Sequence, residues 1–371
     1  MRVLQVTNSL SATVSSGGVE VVVRNAHKAL KLANVDSKVC AMSLKGDTPE
    51  EFKQQDFNIT NTPKLIPSKS WSRFSLIAAR NLFRQVKLSD VVHIHLCKDF
   101  FTVFAAFVCK IKNKPFVIQT HGMINYKGKV TGQISISILK VLISKAKIFC
   151  LTILEREQLE YLGFKGQKVI VPNPIYVEEF EAYNSDQRIC DIIFMSRFHT
   201  RKRPEMVVEA THILKQSGRN VQVLMAGPDD GKLQDTISLI KFYGLEESIS
   251  IPGPVARSKI KHTLKTAKIF VLPSYGEIYP MAALEAASTS TPMILGSDCP
   301  LALELFDFGA ALLADTPQEL ALQIERLLND NLLLNRIIQN AHDWIQKNCS
   351  YDIYTSQVIP IYQSLLKEYI D

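Results

Sequence analysis

Residues 269–286 read IFVLPSYGEIYPMAALEA. Four apolar residues, 269–272, form a short strand by their pattern, and an Ala-rich run from 281 follows with helical character. Pro280 suits the first helical position, where no backbone donor is needed. Glu277 then sits in the loop beyond the carboxyl end of the strand, where open parallel α/β sheets bind their ligands. Glu285 falls about five residues into the helix, roughly 7 Å along its axis. Two carboxylates placed this way reach hydroxyls on different parts of one ligand, and the amides of the helix start favour an anion. Two Glu eight apart are common, so the pattern acquires meaning only from its neighbours.

Outward from this stretch the same alternation runs through the whole chain. Strands are expected at 3–7, 38–43, 91–96 and 116–119, with a helix at 19–32. The pattern pauses near Pro172-Asn173-Pro174. It restarts with strands at 192–195, 222–226, 249–251, 269–272 and 293–295 and a helix at 206–215. Alternation of this kind gives parallel sheets with helices on both faces. The fold class is therefore α/β, with two successive Rossmann-like halves. The last amphipathic stretch, 351–370, reads as a helix able to close back on the first half, which would make that half discontinuous.

The context of Glu277 and Glu285 lies in two other loops. Directly after the strand at 192–195 comes Ser196-Arg197-Phe198-His199-Thr200-Arg201-Lys202. Cations at the end of a neighbouring strand suit a diphosphate, since guanidinium pairs with two oxygens and ammonium adds a point charge. Alone, such a run is more often a solvated loop. In the first half, Ser15-Ser16-Gly17-Gly18-Val19-Glu20 follows the first strand and opens a helix, and glycines there let backbone approach a phosphate or sugar. It lacks the full GxGxxG, so a plain turn fits as well.

Together these residues resemble the family-four retaining glycosyltransferases of GT-B fold. The likeness runs nearly end to end: Gly17-Gly18-Val19-Glu20, Asp90-Val91-Val92-His93-Ile94-His95, Thr120-His121-Gly122, Val171-Pro172-Asn173, Arg197 with Lys202, Ala226-Gly227, Pro252-Gly253-Pro254-Val255, and Glu277 with Glu285. It implies two facing Rossmann-like domains. An acceptor-side domain takes residues 1–175 plus about 352–371, and a donor domain takes 176–351. The implied activity is transfer of a hexose-type sugar from a nucleoside diphosphate sugar to a glycan or lipid-linked acceptor. The resemblance makes His121, Arg197, Lys202 and Glu277 the catalytic set: Arg197 and Lys202 on the diphosphate, Glu277 on the donor sugar, His121 beside the reacting centre. Glu285 would bind ribose hydroxyls. Ile278, Tyr279, Pro280 and Val255 join it as donor-binding positions, with Gly17 and Gly18 bordering the cleft from the acceptor side. The family commonly has Glu-Gly-Phe where this chain has Glu277-Ile278-Tyr279. A nucleotide-sugar epimerase or a phosphorylase on the same fold is the alternative.

No Asp-x-Asp occurs in the sequence, in line with a reaction that needs neither metal nor cofactor. His93 and His95 alternate on one strand but lack a third ligand at suitable spacing for a metal. Seven Cys, widely spaced and without a CxxC pair, read as reduced core thiols. With 46% hydrophobic and 21% charged residues over 371 positions, a disordered or fibrous chain is excluded. The N-terminus lacks a secretory signal pattern, so a cytoplasmic location is expected. Net charge is +7, and the excess of cations lies before residue 180. Residues 100–154 carry eight Lys and no acidic residue. Lys140, Lys145 and Lys147 beside Ile134, Ile136, Ile138 and Leu139 suggest peripheral contact with an anionic membrane at the inner face. A nucleic-acid partner is disfavoured, because few aromatic residues interleave with the lysines.

Overall fold

The structure is a computed structural model that describes residues 1–10, 18–44, 56–62, 76–97, 99–124, 130–177 and 188–370. The chain divides into two compact units. Unit 1 comprises residues 1–174 with 351–371, and unit 2 comprises residues 175–350.

Unit 1 holds a seven-stranded sheet of β1 Arg2–Ser9, β2 Asp36–Leu44, β3 Phe57–Thr62, β4 Val91–His95, β5 Phe116–Gln119, β6 Lys147–Cys150 and β7 Lys168–Ile170. Every pair is parallel, in the order β3-β2-β1-β4-β5-β6-β7. Connections run through α1 Gly18–Leu32, α2 Leu76–Leu88, α3 Phe100–Ile111, α4 Val130–Leu142 and α5 Ile153–Tyr161.

Because side chains alternate across a strand, each central strand feeds two cores. Val92, Ile94, Phe116, Ile118, Ile148 and Cys150 pack on one face with Leu82, Phe101 and Leu159. Val91, Val117 and Phe149 pack on the other. Burial on both faces explains why these strands read as unbroken apolar runs.

Unit 2 holds a six-stranded parallel sheet of β8 Cys190–Met195, β9 Val223–Ala226, β10 Ile249–Gly253, β11 Ala267–Leu272, β12 Met293–Leu295 and β13 Leu312–Leu313. Its order is β10-β9-β8-β11-β12-β13. The helices are α6 Pro204–Gln216, α7 Leu233–Phe242, α8 Ile260–Lys265, α9 Met281–Ala287, α10 Pro300–Asp307, α11 Pro317–Asn329 and α12 Asn331–Asn348. Thr316 and Glu319 close a reciprocal capping box at the start of α11, satisfying two orphan donors.

The last helix, α13 Tyr351–Ile370, belongs to unit 1. It places Tyr354, Val358, Tyr362 and Leu365 against Val3, Val91 and Phe149. Burying a large apolar side chain is worth about 1.5–3 kcal/mol, so each residue of this stripe contributes to the unit's stability. Lys147 departs from the expected membrane-facing position. It sits on β6, is buried, and pairs with Glu368 of α13 at 2.7 Å. Among the described residues, no helix is long and apolar enough to cross a membrane.

Candidate active site

In both sheets the strand order reverses once, and ligands of such sheets bind outside the carboxyl ends at that point. In unit 2 the reversal lies between β8 and β11, which are hydrogen-bonded neighbours. The loop after β8 carries Arg197 and Lys202, and the loop after β11 carries Glu277.

The β8 loop is built to hold its cations. His199 Nδ1 accepts the Arg201 amide at 3.1 Å and caps a single 3-10 turn, Thr200–Lys202. This turn puts Lys202, only 9% exposed, against Glu277, with Nζ 2.8 Å from Oε1. The two loops are also joined by backbone. Tyr275 N donates to Arg201 O at 2.9 Å, and the Arg201 guanidinium donates to Gly276 O. Gly276 has φ +63, a conformation glycine adopts without cost, and its amide donates to Asp298 Oδ2 at 3.0 Å. Arg197 is paired with Asp230 at the exposed rim.

Gly227, at the end of β9, must be glycine for space. A Cβ there would lie 1.8 Å from Ser196 O, so the backbones beside Arg197 could not approach as they do. Val255, half-buried, follows β10 by two residues.

Glu285 is the fifth residue of α9 and is buried. Arg257 Nη1 lies in ion-pair contact with its Oε1, but outside hydrogen-bonding angles. Oε1 therefore has charge compensation without a hydrogen-bond donor. Pro280 is the N-cap of α9 and not its first helical residue, with φ −69° and ψ 110°. The half-buried Ile278 and Tyr279 precede it. The Tyr279 hydroxyl turns to Cys349 Sγ, 3.1 Å away at the end of α12, and burial raises the pKa of both groups.

In unit 1, His121 follows β5 with φ +50. Its loop is fixed by buried Glu155, which accepts from the Gly122 amide and the Thr120 hydroxyl with Oε1 and from Leu151 N at 2.7 Å with Oε2. Burial pushes His121 down to about 3, so its ring is neutral. Gly18 opens α1 and is exposed; Gly17 lies outside the described residues.

The structure thus brings Lys202 to Glu277 and Arg197 to the same strand end, with Glu285 one helix further on. Sequence reading missed Asp230, Arg257 and Glu155. Glu155 had a signal, since Thr152-x-x-Glu155 has capping-box spacing and Thr152 does cap α5. Asp230 and Arg257 pair across 33 and 28 residues and had none.

A sequence profile described as Glycosyltransferase Family 4 matches residues 16–179, and one described as Glycosyl transferases group 1 matches residues 178–344. The chain is a family-four GT-B glycosyltransferase. Among relatives of this glycosyltransferase is the GDP-mannose:cellobiosyl-diphosphopolyprenol alpha-mannosyltransferase of Komagataeibacter xylinus. It is 23% identical over 331 residues, 86% of this chain and 81% of that protein. A D-inositol 3-phosphate glycosyltransferase of Arthrobacter sp. (strain FB24) is 29% identical over 127 residues, 33% of this chain and 30% of that protein. Sucrose-phosphate synthase from Thermosynechococcus elongatus superposes with TM-score 0.77 at 18% identity, covering 99% of both chains. Anabaena HepE in complex with UDP and glucose gives TM-score 0.76 at 15% identity over 98% of the glycosyltransferase and 100% of that chain. Likeness at these identities fixes the fold of the two parallel sheets.

Proposed function

We propose that the protein transfers a hexose-type sugar from a nucleoside diphosphate sugar to a glycan or lipid-linked acceptor, with retention at the anomeric carbon and without a metal. The observation that carries this reading is the Lys202–Glu277 pair beside Arg197 at the strand reversal of unit 2. A leaving diphosphate gains negative charge as the glycosidic bond breaks, and fixed cations stabilise that charge at no reorganisation cost. Arg197 and Lys202 exchange Asp230 and Glu277 for phosphate oxygens, which frees the Glu277 carboxylate for sugar hydroxyls. Glu285 Oε1, buried and without a hydrogen-bond donor, accepts from the ribose hydroxyls. In the same reading Val255, Ile278, Tyr279 and Pro280 line the donor, with the Tyr279 hydroxyl already engaged by Cys349. His121 contacts the reacting sugar, and Gly17 and Gly18 serve the acceptor side. Retention follows from family resemblance and is read directly from the anomeric configuration of the product.

The test is a thermal-shift screen against nucleotides and nucleotide sugars, followed by turnover with the stabilising donor in chelator. A ligand at 100 times its dissociation constant stabilises by about 2.7 kcal/mol. No stabilisation by any nucleoside diphosphate, or activity lost in chelator and restored by magnesium, contradicts the reading.

Peripheral membrane contact falls in this proposal on α2 to α4 of unit 1. Phe83, Phe107, Ile111, Ile138 and Val141 are exposed there, among exposed Arg80, Arg84, Lys110, Lys112 and Lys145. Lys112 Nζ lies 4.4 Å from the centre of the Phe83 ring, and Lys110 donates to Val141 O at 2.6 Å, so charge and apolar surface are interleaved. Basic residues near an anionic surface contribute about 1 kcal/mol each. Flotation should be stronger with phosphatidylglycerol vesicles than with phosphatidylcholine and weaker for Phe107→Asp; equal flotation on both lipids rejects the contact.

A further inference from the structure

Three imidazoles stack at the ends of β4 and β5. Ring centroids of His93 and His95 are 4.2 Å apart, and those of His95 and His121 are 5.2 Å apart. His95 is 0% exposed, and both of its ring nitrogens are engaged. Nε2 lies 2.7 Å from Gln5 Oε1, and Nδ1 lies 3.1 Å from His121 Nε2.

A neutral imidazole has one donor and one acceptor, and an amide oxygen only accepts. Gln5 therefore draws the His95 proton to Nε2, which leaves Nδ1 as an acceptor. The facing Nε2 of His121 must then carry the proton of that ring. The lone pair of His121 is left on Nδ1, which makes no hydrogen bond among the described residues.

We infer that His95 is a positioning residue, which holds His121 in the Nε2–H form so that Nδ1 is the atom offered to a ligand hydroxyl. Gln5 sets the direction of the chain from the far end, and the Glu155-pinned loop sets the ring's place. Burial keeps all three rings uncharged, with His93 and His121 pushed down to about 3 and His95 well below its ordinary value. The functional half of the inference rests on His121 serving the transfer reaction; the tautomer does not. A Gln5 amide turned the other way would reverse every proton in the chain.

The experiment is side-chain nitrogen NMR on protein labelled at histidine, with signals assigned by their loss in His121→Asn and His95→Asn. Wild type should show His121 with its proton on Nε2 between about pH 5 and about pH 8. His95→Leu should give a mixture of tautomers at His121, whereas His95→Asn, which keeps an acceptor near the place of Nδ1, should preserve the single form. With the donor found in the thermal-shift screen, His95→Leu should lower kcat about 10- to 100-fold, the range for outer partners of metal-bound histidines, with KM little changed. His95→Asn should recover most of that loss. A proton on His121 Nδ1, an unmoved tautomer in His95→Leu, or full kcat in that variant overturns the inference. A screen that yields no donor counts against the proposed function alone, since the tautomer is read without ligand.

Discussion

Arg197 is half-exposed and Glu285 is buried, and their proposed roles separate cleanly in kinetics. Charge on the diphosphate grows toward the transition state, so Arg197→Ala should lower kcat on the order of 10²- to 10³-fold, as for loss of an oxyanion donor. Ribose contacts change little along the reaction, so Glu285→Gln should raise the donor KM and leave kcat nearly intact. Initial rates over a range of donor concentration check both; full activity in Arg197→Ala contradicts the assignment. The buried histidines predict an acid sensitivity. Burial pushes His27 down to about 4, and His93 and His121 down to about 3, whereas the unfolded chain titrates near 6.5. The unfolded state therefore binds protons that the folded state refuses. Stability should be complete above pH 6.5 and fall as pH drops below it, by at most roughly 1.4 kcal/mol per pH unit for each group. A urea midpoint that is unchanged between pH 7 and pH 5 is incompatible with this.

At the scale of elements, the strand ends of unit 2 approach closely because Gly227 has no side chain. A methyl group there meets Ser196 O at 1.8 Å, so Gly227→Ala should separate β8 from β9 at the ends that carry Arg197. The expected cost exceeds about 2 kcal/mol, together with loss of nucleotide-dependent stabilisation; a melting temperature equal to wild type rejects the packing argument. Ala226-Gly227 was visible in the sequence, as were β5 and β12, whose bounds match their apolar runs. β6 was not, because Lys147 opens it and reads as surface until α13 supplies Glu368 more than 200 residues later. β3 was missed for a similar reason: Phe57–Thr62 reads FNITNT, with four polar residues of six, and among the described residues it pairs with β2. In the proposed site, the placement of Arg197, Lys202 and Glu277 beyond strand ends and of Glu285 in α9 was legible, because local spacing sets it. Their counter-charges Asp230 and Arg257 were not, since only tertiary folding brings them near.

For the whole molecule the main consequence is discontinuity. Unit 2 is one continuous segment with its own sheet, whereas unit 1 is completed by α13. A chain ended at Ser350 would expose the faces of Val3, Val91 and Phe149 that Tyr354, Val358, Tyr362 and Leu365 cover. Such a truncation should leave residues 175–350 folded and render unit 1 aggregation-prone. Limited proteolysis should then yield a resistant fragment near 175–350 from the truncated chain. Equal resistance of residues 1–174 in truncated and full-length protein would show α13 to be dispensable.

The position of α13 also fixes an order of events at the ribosome. The sheet of unit 1 is translated first, yet its closing helix emerges about 200 residues later. At roughly 5–20 residues per second, that delay is on the order of 10–40 s. For that interval one apolar face of the nascent sheet waits in water while unit 2, read out without interruption, has all it needs to close. Unit 1 thus starts before unit 2 and is finished after it, and its yield in the cell depends on whatever shields Val3, Val91 and Phe149 until residues 351–370 arrive.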